Sequence, residues 1–134
     1  MTLSTACYSK DGARDMDFTR DSLLKKVTEI YSEKGFKEST CSSAAVKNQN
    51  TVCFLTNFYP KDIEEILKEF SDYNLVKLGD WQFESEAGYL RLKYQGNSKL
   101  YVSLFVVPTN DPTTLKHANS GFGRLLEIDV DDAY

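Results

Sequence analysis

The sequence predicts an α+β fold, with two amphipathic helices packed on one face of an antiparallel sheet of about five or six strands. Two segments carry apolar residues at the helical period, whereas the residues after position 75 alternate with a period of two. Strands joined by short turns pair antiparallel, and helices with one apolar face must cover a sheet. At 134 residues, 41% of them hydrophobic, the chain has the size and composition of one globular domain.

The first predicted helix covers residues 19–34 and follows a polar, aperiodic segment. Thr19 is suited to cap its first turn, and Gly35 to end it in the left-handed conformation. Its apolar face consists of Leu23, Leu24, Val27, Ile30 and Tyr31. We expect residues 1–17 to form a flexible N-terminal arm and residues 18–134 to form the single α+β domain.

A short strand and a second helix are predicted next. The polar segment 36–50 is expected to hold a weak strand, and the apolar, β-prone segment 51–58 a buried one. Pro60 suits the first turn of the second helix, because its missing N–H costs nothing there. That helix is predicted to end near Ser71, with an apolar face made of Ile63, Ile66, Leu67 and Phe70.

Most of the rest of the chain is predicted to form the strands of the sheet. Strands are predicted at residues 75–78, 81–84, 89–94, 100–107 and 125–130. The hairpin loop 85–88 ends at Gly88, which we expect to take a positive φ. The segment 100–107 is the strongest strand and is predicted to be central. One helical turn is expected after Pro112.

The charge distribution argues against nucleic acid as a direct partner. The chain has 16 basic and 20 acidic residues, a net charge of −4, and the acidic excess lies after residue 60. Phosphate-driven binding needs a concentrated basic patch, and the densest basic pair is Lys25 with Lys26. No apolar run approaches the roughly 20 residues of a membrane-spanning helix. The oligomeric state is left open.

The three cysteines predict a reducing compartment, since they are too few for a disulfide scaffold and form no C-x-x-C pair. The cytoplasm is therefore the first expectation. The alternative is an exported or lipid-anchored mature domain with a ligand-binding role. In that alternative, Cys41 and Cys53 form a disulfide and Cys7 is left over.

Three carboxylates in the final strand form the first candidate site. With a period of two, Glu127, Asp129 and Asp131 share one face of that strand. They would form an acidic contact surface for a basic protein partner, or a solvated face that blunts an exposed edge. A metal site would need further ligands from neighbouring elements. No metal or cofactor is predicted.

Aromatic residues in the sheet segments extend this candidate surface. Trp81, Tyr89 and Tyr101 lie near Arg91, and residues of these types are enriched at the centres of protein interfaces. Tyrosine is also common in half-buried sheet positions, so ordinary packing is the competing interpretation.

Two further candidates carry weaker signals. Cys41 could be a nucleophile with His117, the one histidine of the chain, as its base, although no helix pattern or family signature surrounds Cys41. The segment 119–124 contains two glycines and an arginine, but a strand follows it, where a phosphate-binding loop would precede a helix.

The leading hypothesis is a small, acidic, non-enzymatic protein-binding module such as an inhibitor, an immunity-type protein or an adaptor. It would use an open, tyrosine-rich sheet face and the acidic C-terminal strand. The exported ligand-binding domain is the first alternative. A thiol hydrolase that uses Cys41 and His117 is the second.

Overall fold

The computed structural model describes residues 18–41, 51–68, 75–96 and 99–132. Their helices are α1 (Arg20–Glu33), α2 (Pro60–Lys68) and a 3-10 helix (Pro112–His117). Their strands are β1 (Lys37–Ser39), β2 (Thr51–Thr56), β3 (Leu75–Lys77), β4 (Gln82–Glu84), β5 (Ala87–Tyr94), β6 (Leu100–Pro108) and β7 (Arg124–Asp132). The predicted α+β class is confirmed, with seven strands in place of five or six.

Helix α1 begins and ends at the residues that the sequence predicts. Thr19 Oγ1 accepts a hydrogen bond from the amide of Ser22, and Ser22 Oγ accepts one from the amide of Thr19, which together form a capping box. Gly35 follows the helix with a φ of 91°. This conformation lets the amide of Phe36 donate to the carbonyl of Tyr31. The predicted cap and helix end are confirmed.

Helix α2 begins at Pro60, as its sequence predicts. The amide of Ile63 donates to the carbonyl of Tyr59, which closes the first turn. The predicted end near Ser71 lies outside the described residues, and so do the predicted arm over residues 1–17 and the chain immediately before β2.

All strand pairs in the sheet are antiparallel, in the order β1-β2-β7-β6-β5-β3. Strand β4 also pairs with β5, next to β3 on the same edge. Strand β6 pairs with β7 from Leu100 to Pro108 and with β5 from Leu100 to Val106, and its residues alternate between buried and half-buried up to Val106. The predicted central position of this strand is confirmed.

One hydrophobic cluster joins buried side chains of both α-helices to one set of alternating sheet positions. From the helices come Leu23, Leu24, Val27, Tyr31, Ile63, Ile66 and Leu67; from the sheet come Phe54, Leu90, Leu92, Tyr94, Leu100, Val102, Leu104, Val106, Leu126, Ile128 and Val130. The hydroxyl of Tyr31 donates to the carbonyl of Ile63 over 2.9 Å and so ties α1 to α2. Burial, with the nearby charge of Glu64, raises the pKa of Tyr31 well above its usual value.

The hairpin between β4 and β5 differs from the prediction in one respect. The residue with positive φ is Ser85, at 59°, and not Gly88. Gly88 lies in β5 and is buried, and a Cβ placed there would approach Phe83 Cε1 to 2.7 Å. Glycine therefore lets the aromatic ring lie close to the β5 backbone, and the turn does not depend on it.

Candidate functional site

The sheet face opposite the hydrophobic cluster carries most of the predicted partner-binding residues. We call it the outer face and define it by the outward residues of three neighbouring strands, which are Tyr89, Arg91 and Lys93 on β5, Tyr101, Ser103 and Phe105 on β6, and Glu127, Asp129 and Asp131 on β7. The register aligns these residues in rows across the strands. One row runs from Lys93 through Tyr101 to Asp131, and the next from Arg91 through Ser103 to Asp129.

Arg91 spans the centre of the outer face. Its Nη2 lies 3.2 Å from Asp131 Oδ1, and its Cζ lies 4.2 Å from the centre of the Tyr101 ring. The side chain therefore reaches from β5 across β6 to β7. The ion pair and the cation–π contact together hold the guanidinium in one position before any partner binds. Arg91 Nε is buried and has no hydrogen-bond partner.

Exposed apolar side chains extend the outer face at its β5 edge. Tyr89 is 38% exposed, and its hydroxyl lies 3.3 Å from Ser103 Oγ. Val76 on β3 pairs with Lys93, and the amide of Leu78 donates to the carbonyl of Arg91. Val76 and Leu78 are 42% and 47% exposed. Neither residue is predicted from the sequence to be on this surface, because their side of the sheet depends on the β3–β5 register.

The three carboxylates of β7 share the outer face as predicted, but their surroundings differ. Glu127 is only 8% exposed and so offers little contact area. Asp131 is paired with Arg91. Burial, and then the charge of Asp131, raises the pKa of Asp129, while a hydrogen bond from Thr51 Oγ1 acts in the opposite direction. The acidic surface is therefore formed mainly by Asp129 and Asp131.

Trp81 does not belong with the other predicted partner-binding residues. It packs against the main hydrophobic cluster, and its Nε1 donates to Glu64 Oε1 over 2.9 Å. The other carboxylate oxygen of Glu64 lies 2.9 Å from Lys77 Nζ. Trp81 therefore helps to satisfy a buried carboxylate and lies on the face opposite Tyr89, Arg91 and Tyr101.

Cys41 and His117 do not form a nucleophile and base in this structure. Cys41 is bonded to Cys53 as a disulfide, so it has no thiol to ionise. His117 is buried, and its Nε2 donates to the carbonyl of Thr40 over 3.0 Å. The disulfide lies in a second small cluster with Leu55, Leu125 and Phe122. This bond also differs from the reduced thiols expected first.

The glycine-containing segment 119–124 uses its amides within the protein. The amide of Gly123 donates to Asn57 Oδ1 over 2.7 Å, and the amide of Phe122 donates to Ser120 Oγ. Arg124 stacks on the ring of Tyr59, with its Cζ 3.8 Å from the ring centre. Since these groups are engaged, the segment does not present the row of amides that a phosphate loop offers.

Comparison of the chain with protein-family models, with curated proteins and with solved structures gives no match. Across the described residues, no helix is long and apolar enough to cross a membrane. The described ranges also hold no group of three or more His, Cys, Asp or Glu side chains placed to bind a metal ion. Function is therefore inferred from the outer face itself.

Proposed function

We propose that the chain is a small, acidic, non-enzymatic protein-binding module that contacts its partner through the outer face. The observation that carries this proposal is the fixed position of Arg91 between the Tyr101 ring and Asp131, beside the exposed Tyr89. Tyrosine and arginine are the side chains that most often dominate binding energy at protein interfaces. A side chain that is held before binding loses less conformational entropy when the partner arrives.

The charge on β7 favours a partner with basic side chains. Asp129 and Asp131 lie on the same strand face, and Asp132 follows at its end. Electrostatic complementarity of this kind raises the association rate and excludes acidic partners. An inhibitor, an immunity-type protein and an adaptor all need such a surface. The shared hydrophobic cluster supports packing of both helices behind the sheet. Such packing would give the outer face a rigid base.

The proposal also concerns the cellular compartment in which the protein works. A disulfide between Cys41 and Cys53 favours an oxidising environment, and hence the exported form over the cytoplasm. The exported alternative with a ligand-binding role is supported by this bond alone. The thiol hydrolase would require reduction of the bond before Cys41 could act.

The proposal is tested by capturing partners from an extract of the source organism with the full chain and two matched variants. Tyr89→Ala removes an exposed ring from the outer face. Tyr59→Ala removes an exposed ring that stacks with Arg124 outside that face. Each variant loses one aromatic side chain, so the comparison isolates the location of the ring. Captured proteins are quantified by mass spectrometry.

We expect the proteins bound by the unmodified chain to be retained by Tyr59→Ala and reduced at least about tenfold by Tyr89→Ala, the effect of losing an interface anchor. Equal capture by both variants would overturn the proposal. Circular dichroism of each variant verifies that the fold is kept.

A further inference from the structure

Two charged side chains of the outer face have no ion-pair partner among the described residues. Lys93 on β5 is exposed, and Asp129 on β7 is half-buried, where it accepts hydrogen bonds from Thr51 and from the backbone at Val130 and feels the charge of Arg20 without forming an ion pair. Between them, Arg91 and Asp131 neutralise each other. The face therefore carries one unpaired positive charge and one unpaired negative charge, on opposite sides of β6.

This arrangement is complementary to itself. The register places Lys93 and Asp131 on either side of Tyr101, and Arg91 and Asp129 on either side of Ser103. If two sheets face each other across a two-fold axis that runs along β6, then β5 of one copy lies over β7 of the other. Lys93 of each copy then meets the acidic strand of its partner, and the contact is made twice, as in an isologous dimer.

We propose that the outer face forms a symmetric dimer with a second copy of this chain, in which Lys93 of each copy pairs with Asp131 of the other and Arg91 pairs with Asp129. Facing sheets pack about 10 Å apart, a separation that side chains from both faces fill. Tyr101, Ser103 and Phe105 meet their counterparts along the axis. This inference rests on the proposed function, because it requires the outer face to be a binding surface.

The basic side chains that β7 favours can come from a second copy of the chain, which differs from an unrelated basic protein because it also supplies carboxylates. A basic side chain from such a protein would pair with Asp129 but leave Lys93 facing a surface of like charge. The second copy supplies the carboxylate of Asp131 to Lys93 and the guanidinium of Arg91 to Asp129 at the same time. Both unpaired charges are then satisfied by one symmetric contact.

The size of the face predicts a weak, reversible dimer. Strands β3, β5, β6 and β7, which are neighbours in the sheet, together span about 19 Å at the usual strand spacing. Strand β6 is about 30 Å long at the usual rise per residue. The resulting footprint, roughly 600 Å², is smaller than the roughly 800 Å² that each partner of a standard complex buries. The net charge of −4 on each copy opposes association and is screened by physiological salt.

Sedimentation velocity over a wide range of concentrations tests this dimer. All chains carry Cys7→Ser, so that no intermolecular disulfide contributes. The background chain is compared with Lys93→Glu and with Lys25→Glu, an exposed position on α1 that receives the same change of charge. We expect the dimer Kd to rise about tenfold or more with Lys93→Glu, because two attractive pairs become repulsive, and to stay unchanged with Lys25→Glu.

The complementary experiment mixes two variants. Lys93→Glu and Asp131→Lys should each associate weakly alone, but an equimolar mixture should recover dimers, since opposite charges again face each other at positions 93 and 131. Asp131→Asn places no cation in this half-buried site and should also weaken the dimer. It provides the test if Asp131→Lys does not fold.

Two results would overturn the dimer. One is a background chain that stays monomeric at every concentration, and the other is Lys93→Glu dimerising as strongly as Lys25→Glu. A chain that is monomeric but still loses captured partners with Tyr89→Ala would refute the dimer and leave the proposed function standing.

Discussion

Arg91 on β5 reaches across β6 to Asp131 on β7, with 3.2 Å between Nη2 and Oδ1. The ring of Tyr101 lies beneath the guanidinium and fixes its height above the sheet. Both charged side chains are about one third exposed, so solvent screens their attraction. The contact therefore contributes more to the fixed geometry of the outer face than to the stability of the fold.

A double-mutant cycle with Arg91→Met and Asp131→Asn measures this pair. We expect a coupling free energy of about 0.5–1 kcal/mol from chemical unfolding, as for partly exposed ion pairs. The exposed pair of Lys68 with Glu65 on α2 is the control, with an expected coupling of about 0.3 kcal/mol. A coupling of zero for Arg91 with Asp131 would show that the ion pair does not hold the guanidinium.

Asp129→Asn is predicted to stabilise the monomer at neutral pH. Because the pKa of Asp129 is raised in the folded protein, the folded state favours the protonated carboxyl, and ionisation lowers the free energy of unfolding as pH rises through that pKa. Asparagine carries no charge and can still accept from Thr51. The gain should be a few tenths of a kcal/mol at pH 7, typical of partly exposed sites, and should vanish in acid.

Asp111→Asn is predicted to lower the free energy of unfolding at neutral pH, the opposite of the effect of Asp129→Asn. The amide and hydroxyl of Thr113 donate to Asp111 and lower the pKa of its carboxyl. The stabilisation from the ionised group is present at neutral pH and is lost as pH falls through the lowered pKa. Asp111→Asn should therefore reduce the free energy of unfolding at pH 7 and have little effect in strong acid. Unfolding curves measured across the acid range for both variants check the two signs together.

Reduction of the Cys41–Cys53 disulfide is predicted to destabilise the protein by about 3 kcal/mol, the chain-entropy value for a loop of this length. Alkylation under denaturing conditions, followed by intact mass, should count one free thiol before reduction and three afterwards. Three free thiols in protein purified without reductant would contradict the bond and return the reducing compartment to first place.

Trp81→Phe is predicted to lower stability without affecting partner capture. The substitution removes the indole N–H that donates to the buried Glu64, which costs about 1–2 kcal/mol. Because Trp81 lies on the face opposite Arg91, captured partners should be those of the unmodified chain. Loss of these partners by a folded Trp81→Phe protein would place the binding surface on the face that carries Trp81.

The elements predicted well from the sequence are those that local rules determine. Helix α1 has its apolar stripe, its capping residue Thr19 and its terminal Gly35 within one continuous segment. Strand β6 likewise shows its alternation within a few residues. Such patterns do not require knowledge of distant partners.

The features that sequence reasoning missed depend on pairing between distant segments. The side of the sheet on which Trp81 and Val76 lie is set by how β4 and β3 pair with β5, and a shift of one residue would reverse it. The shared face of the β7 carboxylates was predictable from alternation. The pairing of Asp131 with Arg91, two strands away, was not.

The most direct test of the outer face as the binding surface is site-specific photocrosslinking. The photoreactive residue p-benzoylphenylalanine is placed at Tyr89 in one full-length chain and at Phe83, exposed beside Trp81, in another. Both chains are irradiated in an extract of the source organism. The account predicts adducts, with a partner protein or a second copy, from position 89 and none from position 83. Adducts from position 83 alone would contradict it.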